Sequence, residues 1–401
     1  MNDPSKVRVT GPLAGYVGGF RSELEARGYR PGTVANQLYL TAELSRWLEV
    51  QGLAVADLTV ERVEQFVAMR RARVQVLGIT PGALGALLGH LDGLGVLPAP
   101  EPVEPTPLEL LLDRYHRYLL HERALAPGTA TRYVSVAGRF LATCSQGAAF
   151  DLEQLSAATA IAFLIAERAT RSVAWAMAVA VALRSLLRFL YVEGLIEAPL
   201  ADAVPSPAGW RATALPKAVE PSQFEAMLAS CDRESVAGRR DYAVLLLLGR
   251  LGLRAAEVAK LELTDVGWAD GQVRVHGKGP RVDVLPLPVD VGRALADYVR
   301  GGRPRKGHGA LFCGIGAPHG PLAPVSVTGI VYRSCDRAGL ERVGAHRLRH
   351  GVATQMLRGG ASLPEIAQIL RHSNVATTAV YAKVDHVALA ELARPWPGGR
   401  S

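Results

Sequence analysis

Only four cysteines occur in the 401 residues, and Cys144, Cys231, Cys313 and Cys335 stand far apart with no pair at metal-ligand spacing. A zinc module and a disulfide framework are therefore both excluded, and free buried thiols in a reducing cytoplasm are the expectation. No charged-then-apolar leader follows Met1-Asn2-Asp3-Pro4-Ser5-Lys6. The longest apolar run, Val173 to Leu183, stops at Arg184, so it reads as a buried helix too short to cross a bilayer. A glycine-rich phosphate loop is missing, and no carboxylate cluster accompanies the informative motifs described below. Neither nucleotide hydrolysis nor metal-assisted hydrolysis has its residues here.

Lysine and arginine total 45 against 37 aspartates and glutamates, giving a net charge of +8 and a pI near 9.5. A basic balance favours a polyanionic partner, although charge alone does not separate DNA from RNA or a membrane surface. Hydrophobic residues make up 49% and charged residues 20%, as in ordinary globular protein, and the length suffices for two or three cores.

Two proline-rich breaks divide the chain. Pro98 to Pro107 holds five prolines in ten residues and reads as a stiff extended linker, and Ala201 to Lys217 carries Pro205, Pro207 and Pro216. The parts on either side of the first break match each other. Arg30-Pro31-Gly32-Thr33 corresponds to Ala126-Pro127-Gly128-Thr129, and Leu58 to Phe66 corresponds to Leu155 to Phe163. Leu84, Leu87, Leu88 and Leu91 correspond to Leu183, Leu186, Leu187 and Leu190. Matching breakers and matching 3-4 apolar spacing predict a duplicated helical domain. The run Met69-Arg70-Arg71-Ala72-Arg73 reads as a phosphate contact or, equally, as a solvated helix face.

From Glu220 the pattern is mixed α/β. Tyr242 to Leu253 predicts an apolar helix, Arg254 to Leu261 another, and Gln272–His276 with Arg281–Leu287 a hairpin that carries Lys278 near its tip. Arg300 to His308, with Arg303, Arg305 and Lys306, predicts a basic loop that contacts a DNA backbone or is merely solvated. Tyr332 falls in a predicted helix and reads as core. His346, Arg349 and His350 share one face if helical, Gly359-Gly360 ends that helix, and Ser362-Leu363-Pro364-Glu365 is a capping box. His372 then falls in a turn, and Tyr381 follows it by nine residues on a short helix.

Arg254, Lys278, His346, Arg349, His372 and Tyr381 together read as a metal-free phosphoryl-transfer site. Fixed cations surround the non-bridging oxygens of a phosphodiester, and a hydroxyl is held for in-line attack. Arg254 and Arg349 would clamp the oxygens and His372 would donate a further hydrogen bond. Tyr381 would attack phosphorus, Lys278 would protonate the leaving 5′-oxygen, and His346 would accept the tyrosine proton. His350 is an accessory candidate. Glu257, one turn after Arg254, is either an orienting group for that arginine or a surface carboxylate.

The stretches Leu251-Gly252-Leu253-Arg254, Ala345 to Thr354 and His372 to Tyr381 resemble the tyrosine recombinase family, which includes phage integrases and Xer-type resolvases. One departure is Arg371, where the family commonly has glycine; the expectation is an altered loop contact and unaltered chemistry. The resemblance covers about residues 210–395 strongly and implies a mainly helical α+β catalytic domain with a small antiparallel sheet, preceded by an all-α SAM-like core-binding bundle that the second helical copy matches. The duplication adds the first copy as a second such bundle, for DNA binding or assembly. The two proline-rich breaks set the expected boundaries at 1–97, 107–203 and 214–401, and the resemblance implies that the C-terminal tail of the last part docks on a neighbouring protomer. It further implies a homotetramer on two double-stranded DNA sites, with accessory proteins as further partners. Other implications are a 3′-phosphotyrosyl intermediate, no metal or other cofactor, and a cytoplasmic, nucleoid-associated protein. A type IB topoisomerase, which shares this chemistry but works alone, and a silent DNA-bridging protein of the same fold are the competing readings.

Overall fold

Proline starts several of the helices, because its fixed φ suits the first helical turn and its missing N–H is not needed there. Pro31, Pro107, Pro127, Pro221 and Pro324 all occupy that position in the computed structural model. The structure describes residues 3–73, 81–99, 104–144, 152, 155–206, 218–277, 281–304 and 308–371. Contacts group residues 1–99 with 214–401 in one unit and place 100–213 in a second.

Residues 1–99 contribute α1 (Val17–Ala26), α2 (Pro31–Val50), α3 (Val60–Arg73) and α4 (Gly85–Gly93). Their own core holds Phe20, Leu38, Leu44, Phe66 and Leu87. The second unit contributes α5 (Pro107–His121), α6 (Pro127–Thr143), α7 (Ala157–Thr170) and α8 (Val173–Val192), around Tyr115, Phe140, Phe163 and Leu187. Thr106 and Glu109 cap α5 reciprocally, so the proline-rich stretch ends by starting a helix. The helix that carries the Val173–Leu183 run does not end at Arg184. Helix α8 continues to Val192 and is long and apolar enough to cross a membrane by composition, yet half of its apolar window is buried against the core.

The remaining elements are α9 (Pro221–Ala229), α10 (Val236–Gly249), α11 (Ala255–Lys260), β1 (Val266–Gly267), β2 (Gln272–His276) and β3 (Val282–Pro286). They are followed by α12 (Val289–Gly301), α13 (Pro324–Arg337), α14 (Ala345–Arg358) and α15 (Leu363–Ile369). The strands form an antiparallel sheet in the order β1-β2-β3, with Val273 opposite Leu285 and Val275 opposite Asp283. Val273 and Val275 face the core while Arg274 and His276 point outward, the period-two alternation read in the sequence.

Helix α10 begins at Val236, six residues before the predicted start, because the Ser235 hydroxyl accepts the Gly238 N–H and supplies a cap. It ends at Gly249, short of the predicted Leu253. Its Ala243 to Leu248 stretch is buried on every face, which makes it the central helix of the domain. Two further expectations fail. Arg300 belongs to the last turn of α12 and not to a loop, and Tyr332 on α13 is 39% exposed and not core. All four cysteines are free and buried.

Candidate active site

Gly252 delivers Arg254 to the site. Its φ of +59° is available to glycine at no steric cost, and a Cβ there would meet Leu370 Cδ2 at 2.7 Å. The chain thus reverses tightly after α10, and Arg254 enters extended as the N-cap of α11. Its backbone N–H donates to Glu257 Oε2 at 2.9 Å, and Nη1 donates to Oε1 of the same carboxylate at 2.5 Å. Nη2 donates to the Arg371 carbonyl at 3.4 Å. The side chain nevertheless stays 39% exposed, so the cation is anchored at one edge and open at another.

Helix α14 presents His346, Arg349 and His350 as the 3-4 spacing requires, with the two imidazoles edge to face at 4.4 Å between centroids. Arg349 is 1% exposed. Its Nη1 donates to the Gly252 carbonyl at 2.6 Å and its Nη2 to the Leu370 carbonyl. One buried guanidinium therefore ties α14 to the turn before Arg254 and to the end of α15. Partial desolvation, then the charges of Arg349 and Arg254, lower the pKa of His346. Burial first, then His346, Arg349 and Arg347, push His350 down to about 4. Both sit in the first two turns of α14, where the helix dipole also disfavours a cation. Neutral imidazoles at pH 7 are the outcome, and a neutral His346 can accept a proton.

Arg254, His346 and Arg349 line one cavity of about 380 Å³, together with Thr328 and the backbone around Gly344. A second cavity, about 320 Å³, lies on the other side of Arg254 and is lined by Glu257, His276, Gly277, Arg281, Asp283 and Arg371. The turn end of the β2–β3 hairpin therefore opens beside Arg254. His276 Nε2 lies 3.0 Å from Asp265 Oδ1, which pins the end of β2.

Glu257 is not a surface carboxylate; it is 4% exposed. Burial alone would raise its pKa, but the Arg254 N–H and the charges of Arg371 and Arg254 more than offset that, and it is lowered. The expectation that Arg371 alters only a loop contact needs correction. Arg371 Nη2 donates to Glu257 Oε2 at 2.8 Å and the pair is buried, at 3% and 4% side-chain exposure. Arg371 holds this position with φ +55°, a left-handed conformation that costs a non-glycine residue about 1–2 kcal/mol. No short-range pattern announces the contact, since the partners are 114 residues apart.

Lys278, His372, Tyr381, Arg305, Lys306, the tail and the Arg73 side chain lie outside the described residues. Arg70 on α3 pairs with Glu43 on α2, and Arg71 on the same helix is exposed. Arg303 is no open phosphate contact: its Nε and Nη2 donate to the carbonyls of Ala310 and His308, bracing its own loop. Among the described residues no group of three His, Cys, Asp or Glu side chains could hold a metal ion.

A largely helical domain with a small antiparallel sheet and two arginines and a histidine about one cavity defines a class. Residues 217–387 match the model of the phage integrase family. "Putative integrase/recombinase y4rA" of Sinorhizobium fredii is 39% identical over 97% of this chain and 95% of its own length. Tyrosine recombinase XerD of Mycobacterium tuberculosis is 32% identical over 73% of this chain and 97% of its own. The chain belongs to the tyrosine recombinase (phage integrase) family and is a site-specific tyrosine recombinase. Among solved structures, XerH recombinase bound to a palindromic difH substrate shares the fold at a TM-score of 0.53 and 17% identity, over 99% of this chain and 98% of that one. A lambda integrase dimer bound to a core site gives 0.53 at 16% identity, over 79% of this chain and 89% of that one.

Proposed function

We propose that this chain cleaves and rejoins double-stranded DNA at a specific site through a covalent 3′-phosphotyrosyl link to Tyr381. The observation that carries the reading is the cavity shared by Arg254, His346 and Arg349. The exposed edge of Arg254 offers planar N–H donors to the non-bridging oxygens of a phosphate, and the buried charge of Arg349 stands behind the same cavity. Fixed donors of this kind stabilise the charge of a pentacoordinate transition state without reorganising at the moment of reaction. The XerH and lambda integrase structures, which share the fold, are DNA complexes, and this supports DNA as the partner.

The electron pair of the Tyr381 phenolate forms the new O–P bond, and the 5′-oxygen leaves with the pair of the bond that breaks. His346, kept neutral by its surroundings, takes the phenol proton. Lys278, two residues after the end of β2 at His276, gives its proton to the 5′-oxygen. His372 donates to a non-bridging oxygen. Rejoining reverses these steps, so the phosphodiester energy is kept and neither ATP nor a metal is consumed.

The working assembly is a homotetramer on two duplexes, with accessory proteins as further partners of a nucleoid-associated enzyme. Residues 1–97 and 107–203 are two copies of a SAM-like bundle ahead of a catalytic domain at 214–401. Support comes from their matched proline starts at α2 and α6 and their separate cores. A nicked duplex drawn from the DNA flanking the coding sequence tests the reading. Covalent adduct and recombinant joints are expected. Relaxation of supercoils without recombinants would instead identify a nicking-closing enzyme of the topoisomerase kind.

A further inference from the structure

We infer that Arg371 is a positioning residue that sets the orientation and the effective charge of Arg254 through Glu257; the inference rests on the cleavage reading above. Arg254, Glu257 and Arg371 form a closed loop of contacts. Arg254 holds Oε1 of Glu257, Arg371 holds Oε2, and Arg254 reaches back to the Arg371 carbonyl. Arg371 Nη1 also donates to the Ile369 carbonyl at 3.0 Å, which fixes the guanidinium against the end of α15.

The arrangement answers an electrostatic problem. A carboxylate paired only with Arg254 would cancel the charge that a phosphate needs and would repel the phosphate itself. With Arg371 on its second oxygen the buried cluster carries one net positive charge, and the exposed edge of Arg254 keeps its attraction for an anion. Arg371 accepts a left-handed backbone in this position, where glycine would sit without strain. An otherwise unfavourable residue held by a buried ion pair at the edge of the Arg254 cavity is what a positioning role requires.

The test uses the full-length chain with R371G, R371K and E257Q, and the double variant R371G/E257Q. R371G suits the φ of +55° but leaves the buried Glu257 carboxylate without one partner, so its thermal midpoint should fall, and cleavage is compared at a temperature well below that midpoint. Single-turnover cleavage of the nicked flanking duplex should fall at least tenfold in R371G at saturating DNA, with its Kd changed less than about threefold. R371K should recover part of the rate, and the double variant should cleave no more slowly than E257Q. Equal cleavage by R371G and wild type, or additive losses in the double variant, would overturn the inference. A second measurement is independent of turnover: the ¹⁵N resonances of the Arg254 guanidinium, assigned through R254K. Restricted rotation in wild type and free rotation in R371G are expected, and identical signals would overturn the role of Arg371. Absence of cleavage by wild type would sink the proposed function alone, because the resonance experiment would still decide about Arg371.

Discussion

Arg349 Nη1 donates to the carbonyl of Gly252 at 2.6 Å, two residues before Arg254 in the chain. The same guanidinium reaches the Leu370 carbonyl, so one side chain joins three segments that are distant in sequence. A group read from the sequence as a phosphate clamp therefore also holds the cavity together. Buried at 1% exposure, it satisfies carbonyls that would otherwise lose their donor.

The two arginines should consequently respond differently to removal. Arg349→Ala leaves two buried carbonyls without their donor and opens a void, a loss of about 2–5 kcal/mol in urea unfolding. Arg254→Ala removes a side chain that is 39% exposed and should cost about 1–2 kcal/mol, while cutting cleavage of order 100-fold or more. Equal stability of Arg349→Ala and wild type would contradict the bracing role.

Gly252→Ala places a Cβ 2.7 Å from Leu370 Cδ2 on a backbone of φ +59°. A loss of about 1–3 kcal/mol is expected, read as a lower urea midpoint with unchanged slope. Gly89→Ala, in mid-α4 with open space around it, should instead be neutral or stabilising by about 0.5–1 kcal/mol. The reverse order of the two variants would show that the turn before Arg254 is not the tight one described.

The histidine shifts fix the sign of the pH dependence. A proton acceptor works only when neutral, and the pKa of His346 is lowered, so the cleavage rate should rise with pH through a midpoint below the ordinary histidine value of about 6.5 and then level off. His350, pushed down to about 4, binds a proton more readily in the unfolded chain than in the folded one. Its contribution to stability is thus complete above about pH 6.5 and is lost as pH falls toward 4. His350→Gln should flatten the stability profile in that window. A rate that still climbs well above pH 7 would assign the proton acceptor elsewhere.

DNA affinity should fall steeply with added salt, because phosphate contacts release counterions. Arg71→Ala should reduce the slope by about one if that exposed residue touches phosphate. Arg70→Ala should change it less, since Arg70 is paired with Glu43. Identical slopes for Arg71→Ala and wild type would place α3 away from the duplex.

Local signals were the legible ones. The Ser362–Glu365 capping box, the β2–β3 hairpin and the shared face of His346, Arg349 and His350 depend on residues within a few positions of each other. The six-residue misplacement of α10 came from overlooking Ser235 as a cap, a signal present in the sequence. The Glu257–Arg371 pair and the Arg349 contacts join residues 114, 97 and 21 positions apart, and the turn of Arg303 onto carbonyls depends on a fold of its loop. Periodicity and charge carry no information about which carbonyl or carboxylate a long side chain will meet.

The most direct test of the central claim is to trap the protein on a nicked duplex and identify the DNA-linked residue by mass spectrometry, with and without EDTA. The account predicts a 3′-phosphoryl adduct on Tyr381 in both conditions, absent from Tyr381→Phe although that variant still folds and binds DNA. An adduct on another residue, an adduct that survives Tyr381→Phe, or one abolished by EDTA would contradict it.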